Sequence, residues 1–371
     1  MARKPAPNGA TTWDANGCDA AAPERPTILP TPHGRRTRDT AATRSLRRVG
    51  ILGTGSCLPD RVLTNRELER LVETSDAWIR ERTGVNERRI ARPGQAASDL
   101  ATDAARRALE ACGLHADAVE LIVVATVTPD NICPPTACHV QRKIGAAGAA
   151  GFDVAAACSG FANALLVGHG LVAAGTFGNA LVIGVDVLSA ITDYADRNTC
   201  VLFGDGAGAV VIGPEPSEHE ILDHEVGIDG TGADLIEVPA GGSARPACLQ
   251  TVSAREHFIR MDGRKVFRFA VAKICEVVTR IAQRNGIAVD EIDVLVPHQA
   301  NLRILEAAAQ KLGLPMERLL VNVDRYGNTS SGSIPIALDE AARTGRLRRG
   351  DLVCTVAFGG GLSWGANLIE W

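Results

Sequence analysis

The strongest constraint on this 371-residue chain is that it repeats itself. Residues 113–123 (GLHADAVELIV) lie in register with residues 286–296 (GIAVDEIDVLV), and each block follows a helical segment and ends in an apolar strand. Downstream, FDVAAACSGFANALLVGHGLVAAG (152–175) matches NVDRYGNTSSGSIPIALDEAARTG (322–345) in pattern, with Cys158 falling on Asn328. Seventeen residues after each of these comes a glycine, Gly175 and Gly345, where a helix is expected to close in the left-handed region. Strands then follow at 180–185 and 352–357. Two copies of a strand, helix and strand unit predict an α/β fold made by duplication, with two central helices meeting at a pseudo-twofold axis. Equivalent helix N-termini on either side of that axis bring a cysteine and an asparagine to one central cavity.

Composition narrows the class. With 46% hydrophobic but only 4% aromatic residues, the core is aliphatic and closely packed. The net charge of -4 is unevenly spread: residues 1–48 carry nine Arg or Lys against four acidic residues, leaving 30 basic and 39 acidic residues on the rest. An acidic body argues against nucleic acid as a partner. The arm lacks any apolar run, so residues 1–47 read as a disordered basic extension; its acidic residues weigh against a transit peptide, and a cytoplasmic location is expected. Residues 154–185 hold no charged side chain over 32 positions, but five glycines and Ser159, Asn163, His169, Thr176 and Asn179 make a membrane span a poor reading. A buried helix followed by a buried strand is expected there. The ten cysteines include no CxxC pair, which removes zinc-finger and thioredoxin-type sites. The glycine-rich runs at 53–55, 203–208 and 358–361 fit neither a P-loop nor a dinucleotide fingerprint, so no nucleotide cofactor is expected.

Three residues then stand out. Cys158 begins a helix among small neighbours, where the positive end of the helix dipole favours the thiolate. His298 emerges from the strand Val294-Leu295-Val296, at a strand C-terminal end where α/β folds bind ligands, although a hydrogen-bonded core histidine is an equal reading of it alone. Asn328 sits in a turn into a helix, where it also serves as a good N-cap. Three separate signals converge on the cavity that the repeat implies.

From Arg48 to Trp371 the chain resembles β-ketoacyl-acyl-carrier-protein synthase III, the initiating condensing enzymes of bacterial fatty-acid synthesis, which have the thiolase fold. The resemblance rests on ILGTGSCLPD, TSDAWIRERTG, DVAAACSGF, FGDGAGA, VPHQANLR, RYGNTSSGS and AFGGGLSWG. It implies a five-layered αβαβα core of two halves, 48–215 with the nucleophile and 216–371 with the histidine and asparagine. It implies a catalytic Cys158, His298 and Asn328, an oxyanion hole from the backbone N–H groups of Cys158 and Gly360, and no cofactor, the CoA thioester being a substrate. Cys158 would take an acyl group from acyl-CoA, and malonyl-acyl-carrier protein would then lose CO2 and attack it. Trp78 and Arg197 match positions that hold the CoA adenine, Arg82 one that contacts its phosphates, and Asn301 one near the pantetheine. Arg264, Lys265 and Arg268, with Arg303 and Lys311, are the expected docking face for an acidic carrier protein. Arg260, Arg264 and Arg268 recur every four residues and would share one helical face. In a homodimer, Cys133 matches a position that reaches the partner's acyl pocket, where some members preferring acetyl-CoA have Phe; the smaller side chain implies longer primers. A synthase III-like enzyme of specialised metabolism, transferring acyl groups or condensing them without decarboxylation, is the alternative.

Overall fold

The structure, a computed structural model, describes residues 46–214 and 219–371. All but the last two residues of the basic extension lie outside the described residues. Nine strands form the main sheet: β1 (Gly50–Cys57), β2 (Leu121–Ala125), β3 (Ala150–Val154), β4 (Ala180–Val187), β5 (Asp205–Gly213), β6 (Glu220–Ile228), β7 (Val294–Pro297), β8 (Leu352–Gly359) and β9 (Ser363–Glu370). Their spatial order is β7-β8-β9-β6-β1-β5-β4-β2-β3. Counted within each half, the first reads third, second, fourth, fifth, first. The second half repeats that order, and where its third strand would lie there is a parallel bridge between Leu295 and Leu319. The halves join where Gly50 of β1 pairs with Glu220 of β6.

Strand alternation sorts the side chains into layers. In β2, Leu121, Val123 and Ala125 face the centre of the molecule while Ile122 and Val124 face outward. In β8, Val353 and Ala357 face the centre while Cys354, Val356 and Phe358 face the other way. The outer layer of the first half is α1 (Ala97–Cys112), which turns a face of Leu100, Ala101, Ala104, Ala105 and Ala108 to the sheet. The middle layer holds α2 (Gly160–Ala173) and α5 (Ser333–Arg343). The outer layer of the second half holds α3 (Gly263–Arg284) and α4 (Leu302–Leu312). The result is the expected αβαβα stack, and the small side chains account for how closely its layers approach.

The charge-free stretch resolves as expected into a helix, α2, and a fully buried strand, β4. Gly175 and Gly345 end the two central helices with φ of 71° and 68°. The starts differ from the register read in the sequence. Each helix is preceded by a one-turn 3-10 helix, Ala157–Ser159 and Ser330–Gly332, whose first residue has a positive φ, 46° at Ala157 and 50° at Ser330. Counted from those turns, Cys158 is equivalent to Ser331, and Asn328 lies three residues earlier. The two turns sit against each other at the pseudo-dyad. Gly184 of β4 permits this, because a Cβ there would lie 2.2 Å from the Ser331 carbonyl oxygen.

Candidate active site

Cys158, His298 and Asn328 line one cavity of about 560 Å³. Cys158 is carried by the Ala157–Ser159 turn, immediately ahead of α2. Ser159 fastens that turn, donating from Oγ to the Ala156 carbonyl at 2.8 Å and pairing with Ser363 Oγ of β9 at 2.9 Å. Gly359, at the end of β8, comes close: a Cβ there would stand 2.7 Å from the Cys158 nitrogen. Gly360 lines the cavity beside it. The glycine-rich 358–361 turn thus brings backbone, with no side chain between, up to Cys158.

His298 follows Pro297, the last residue of β7, and its backbone N–H donates to the Val356 carbonyl at 2.7 Å. Its ring is 1% exposed, meets the Phe358 ring edge-on at 5.5 Å, and has Nδ1 2.7 Å from Ser333 Oγ. Burial pulls the imidazole down to about 3, so it is neutral at pH 7 and presents one N–H. Asn328 is clasped by backbone: its N–H donates to the Leu202 carbonyl at 2.8 Å and its carbonyl accepts from Gly204 N–H at 2.9 Å. Its Oδ1 accepts from Ser330 N–H at 2.9 Å, which leaves the amide NH2 as the free donor.

The thiol departs from the expectation drawn from helix position. Burial pushes Cys158 up to about 12, outweighing a hydrogen bond with Ser330 that favours the thiolate. In the free protein this favours the neutral thiol. Alkylation of Cys158 by iodoacetamide, followed by peptide mass spectrometry, should rise about tenfold per pH unit from pH 7 to 10 as the thiolate fraction grows. A plateau already reached at pH 8 would refute this.

Trp78, Arg82, Arg264 and Asn301 line the same cavity. The Arg197 guanidinium lies 5.0 Å from the Trp78 ring centroid, a stacked pair beside Arg82. Asn301 caps α4, accepting from Arg303 N–H at 2.9 Å, and donates to the Arg82 carbonyl at 3.2 Å. Arg268, Arg303 and Lys311 are exposed, as is Lys265, which pairs with Asp262 at 3.2 Å. Arg260 does not share the helical face: it belongs to the two-residue strand Arg260–Met261, and α3 begins only at Gly263. Cys133 is exposed and is not among the residues lining this chain's cavity. Ser330, Ser333 and Phe358 fall within the RYGNTSSGS and AFGGGLSWG motifs, but nothing in those motifs marks them as partners of Cys158, His298 and Asn328, contacts that only the fold makes. Among the described residues no group of three or more His, Cys, Asp or Glu is placed to hold a metal ion, and no helix is long and apolar enough to cross a membrane.

A duplicated αβαβα core with a cysteine, a histidine and an asparagine around one cavity defines a condensing acyltransferase of the thiolase fold. The family models for 3-oxoacyl-[acyl-carrier-protein (ACP)] synthase III match residues 152–230, and for its C-terminal part residues 282–371. Over 322 residues, 87% of this chain and 97% of the relative, it is 51% identical to the β-ketoacyl-[acyl-carrier-protein] synthase III of Caldanaerobacter subterraneus subsp. tengcongensis. The protein of that name from Clostridioides difficile is 49% identical over 324 residues, 87% of this chain and 98% of its own length. The crystal structure of 3-oxoacyl-[acyl-carrier-protein] synthase III from Aquifex aeolicus superposes with a TM-score of 0.81 at 43% identity, covering 87% of this chain and all of that one. The chain belongs to the β-ketoacyl-acyl-carrier-protein synthase III family, the initiating condensing enzymes of fatty-acid synthesis.

Proposed function

We propose that this enzyme condenses an acyl-CoA primer with malonyl-acyl-carrier protein to give 3-oxoacyl-acyl-carrier protein, CO2 and CoA, without a cofactor. The observation that carries the reading is that Cys158, His298 and Asn328 share one cavity whose wall also includes Trp78 and Arg82. In the first half-reaction Cys158 Sγ bonds to the acyl carbon, the bond to CoA sulfur breaks, and CoA leaves as its thiol with the proton. Backbone N–H groups of Cys158 and Gly360 receive the carbonyl oxygen as it gains charge. In the second, the bond from the malonyl α-carbon to its carboxylate breaks and CO2 departs. The electron pair remains as an enolate, whose oxygen accepts from the His298 ring N–H and the Asn328 amide. The enolate carbon attacks the acyl carbon, the bond to Sγ breaks, and the released thiolate takes one proton from solvent.

The two halves, 48–215 and 216–371, contribute the nucleophile and the enolate hole respectively. Trp78 and Arg197 take the adenine by inserting it into their stack, Arg82 pairs with phosphate, and Asn301 lies along the pantetheine. A cytoplasmic homodimer is the assembly we favour. Strand β3 is at the sheet edge, and the 131–134 loop carries Ile132 at 93% exposure with Cys133 beside it. Such an edge is normally covered.

Incubation with labelled acyl-CoA of increasing chain length, with and without malonyl-acyl-carrier protein, tests the reading. Labelled Cys158 in the first case and a carbon-carbon bond in the second are expected, with primers longer than acetyl accepted. Acyl-Cys158 that never condenses would overturn it. The carrier protein docks on Arg264, Lys265, Arg268, Arg303 and Lys311. Arg268→Glu with Arg303→Glu should raise the carrier-protein KM roughly tenfold or more while leaving acylation by acyl-CoA unchanged. An unaltered KM would remove that surface from consideration.

A further inference from the structure

A neutral imidazole donates from one nitrogen and accepts at the other, so the enolate hole works only if His298 carries its proton on the nitrogen facing the cavity. We infer that Ser333 is the positioning residue that fixes His298 in the Nε2–H form, by donating its hydroxyl proton to Nδ1. This role presupposes the decarboxylating reaction proposed above and assigns it a further residue.

Ser333 Oγ stands 2.7 Å from Nδ1, in the first turn of α5. On its own this contact is ambiguous, because a hydroxyl can give or receive. The neighbouring backbone decides the direction. Gln299 N–H points at the same Oγ at 3.4 Å, so one lone-pair side of the oxygen already faces a donor. With a ring N–H as a second donor, the hydroxyl proton would be left to find another acceptor in a site where Ser333 is 1% exposed. With the hydroxyl donating to Nδ1, all three groups are satisfied and Nε2 keeps the hydrogen.

Gln299 itself cannot shift to change this. Its Nε2 donates to the Pro297 and Leu320 carbonyls at 2.8 and 2.9 Å, and its Oε1 accepts from Asn322 and Val323 N–H at 2.9 and 3.1 Å. The side chain is completely buried and uses both amide hydrogens and both oxygen lone pairs. It therefore locks the 297–299 backbone, and with it the N–H aimed at Ser333. His298 N–H, bonded to Val356, holds the same loop from the β8 side. A carboxylate at Nδ1 would also select the tautomer but would favour an imidazolium. A hydroxyl selects the tautomer and leaves the ring neutral, as a hydrogen-bond donor to an enolate oxygen requires.

The test is nitrogen-15 NMR of the full-length enzyme with labelled histidine, combined with separate assays of the two half-reactions. The wild-type ring should show a protonated Nε2 and an unprotonated Nδ1. Ser333→Ala should yield a mixture of tautomers, lower decarboxylation of malonyl-acyl-carrier protein roughly 10- to 100-fold, and leave acylation of Cys158 within about twofold. Ser333→Thr, which keeps the hydroxyl, should recover most of the decarboxylation. A wild-type ring protonated on Nδ1, a measurement that needs no variant to fold, would overturn the assignment. So would Ser333→Ala with an unchanged ring spectrum and full decarboxylation, or with both half-reactions lowered equally. An Nε2–H ring in an enzyme that does not decarboxylate at all would instead overturn the reaction and spare the tautomer.

Discussion

Cys158→Ala is expected to abolish acylation by acyl-CoA, and condensation with it, on the order of 10⁶-fold, because among the described residues no other cysteine lines the cavity to form a thioester intermediate. Decarboxylation of malonyl-acyl-carrier protein should survive. The groups proposed to hold the enolate, the His298 ring and the Asn328 amide, are fixed by contacts that do not include the Cys158 sulfur: Ser333 and Val356 for one, Leu202, Gly204 and Ser330 for the other. The variant should therefore release CO2 and accumulate acetyl-acyl-carrier protein without making a carbon-carbon bond. Carbon dioxide release and product mass are the two measurements. If decarboxylation disappears along with acylation, the two oxyanion sites are not independent and the two-step mechanism is wrong.

The repeat carried most of the fold and part of the site. The pairing of 113–123 with 286–296 correctly anticipates β2 and β7 in matching places of the two halves. It succeeds because a buried strand after a polar turn is a local pattern, legible without tertiary context. The second register, Cys158 on Asn328, failed at one end for a specific reason. It was fixed by the glycines that close the helices, Gly175 and Gly345, but α2 has 14 residues and α5 has 11. Counting back from equivalent ends therefore misplaces the start by three residues. Asn328 comes instead from the turn before, held against Leu202 and Gly204. That contact crosses from one half to the other, and no periodicity could reveal it.

Electrostatics was the other point at which position alone misled. A helix N-terminus favours a thiolate by about 0.3 to 1 kcal/mol at an exposed site. Burying a charge costs far more, and Cys158 is packed between Ala157, Gly359 and the Ser330 turn. The same burial makes His298 a neutral donor. In the proposed mechanism the site is thus set up for charge that arrives with substrate and is received by preorganised N–H groups, with no standing ion pair among Cys158, His298 and Asn328.

Asn328 offers the sharpest test of that view. Its Oδ1 is occupied by Ser330 N–H, so its orientation is fixed and the NH2 is aimed away from that bond, toward the cavity. Asn328→Ala removes one of the two side-chain donors proposed for the enolate oxygen and should lower decarboxylation and condensation by about 10²- to 10³-fold. In the proposed mechanism acylation uses the other hole and should continue, so that acyl-Cys158 accumulates and is visible by intact-protein mass spectrometry. Asn328→Asp sharpens the comparison, since it keeps the shape and the bond from Ser330 but turns the donor into an anionic oxygen facing a developing negative charge. It should be at least as impaired as the alanine variant despite its closer fit. If Asn328→Asp retained substantially more condensation than Asn328→Ala, shape rather than hydrogen-bond donation would be what Asn328 supplies, and the enolate hole would have to be sought elsewhere in the cavity.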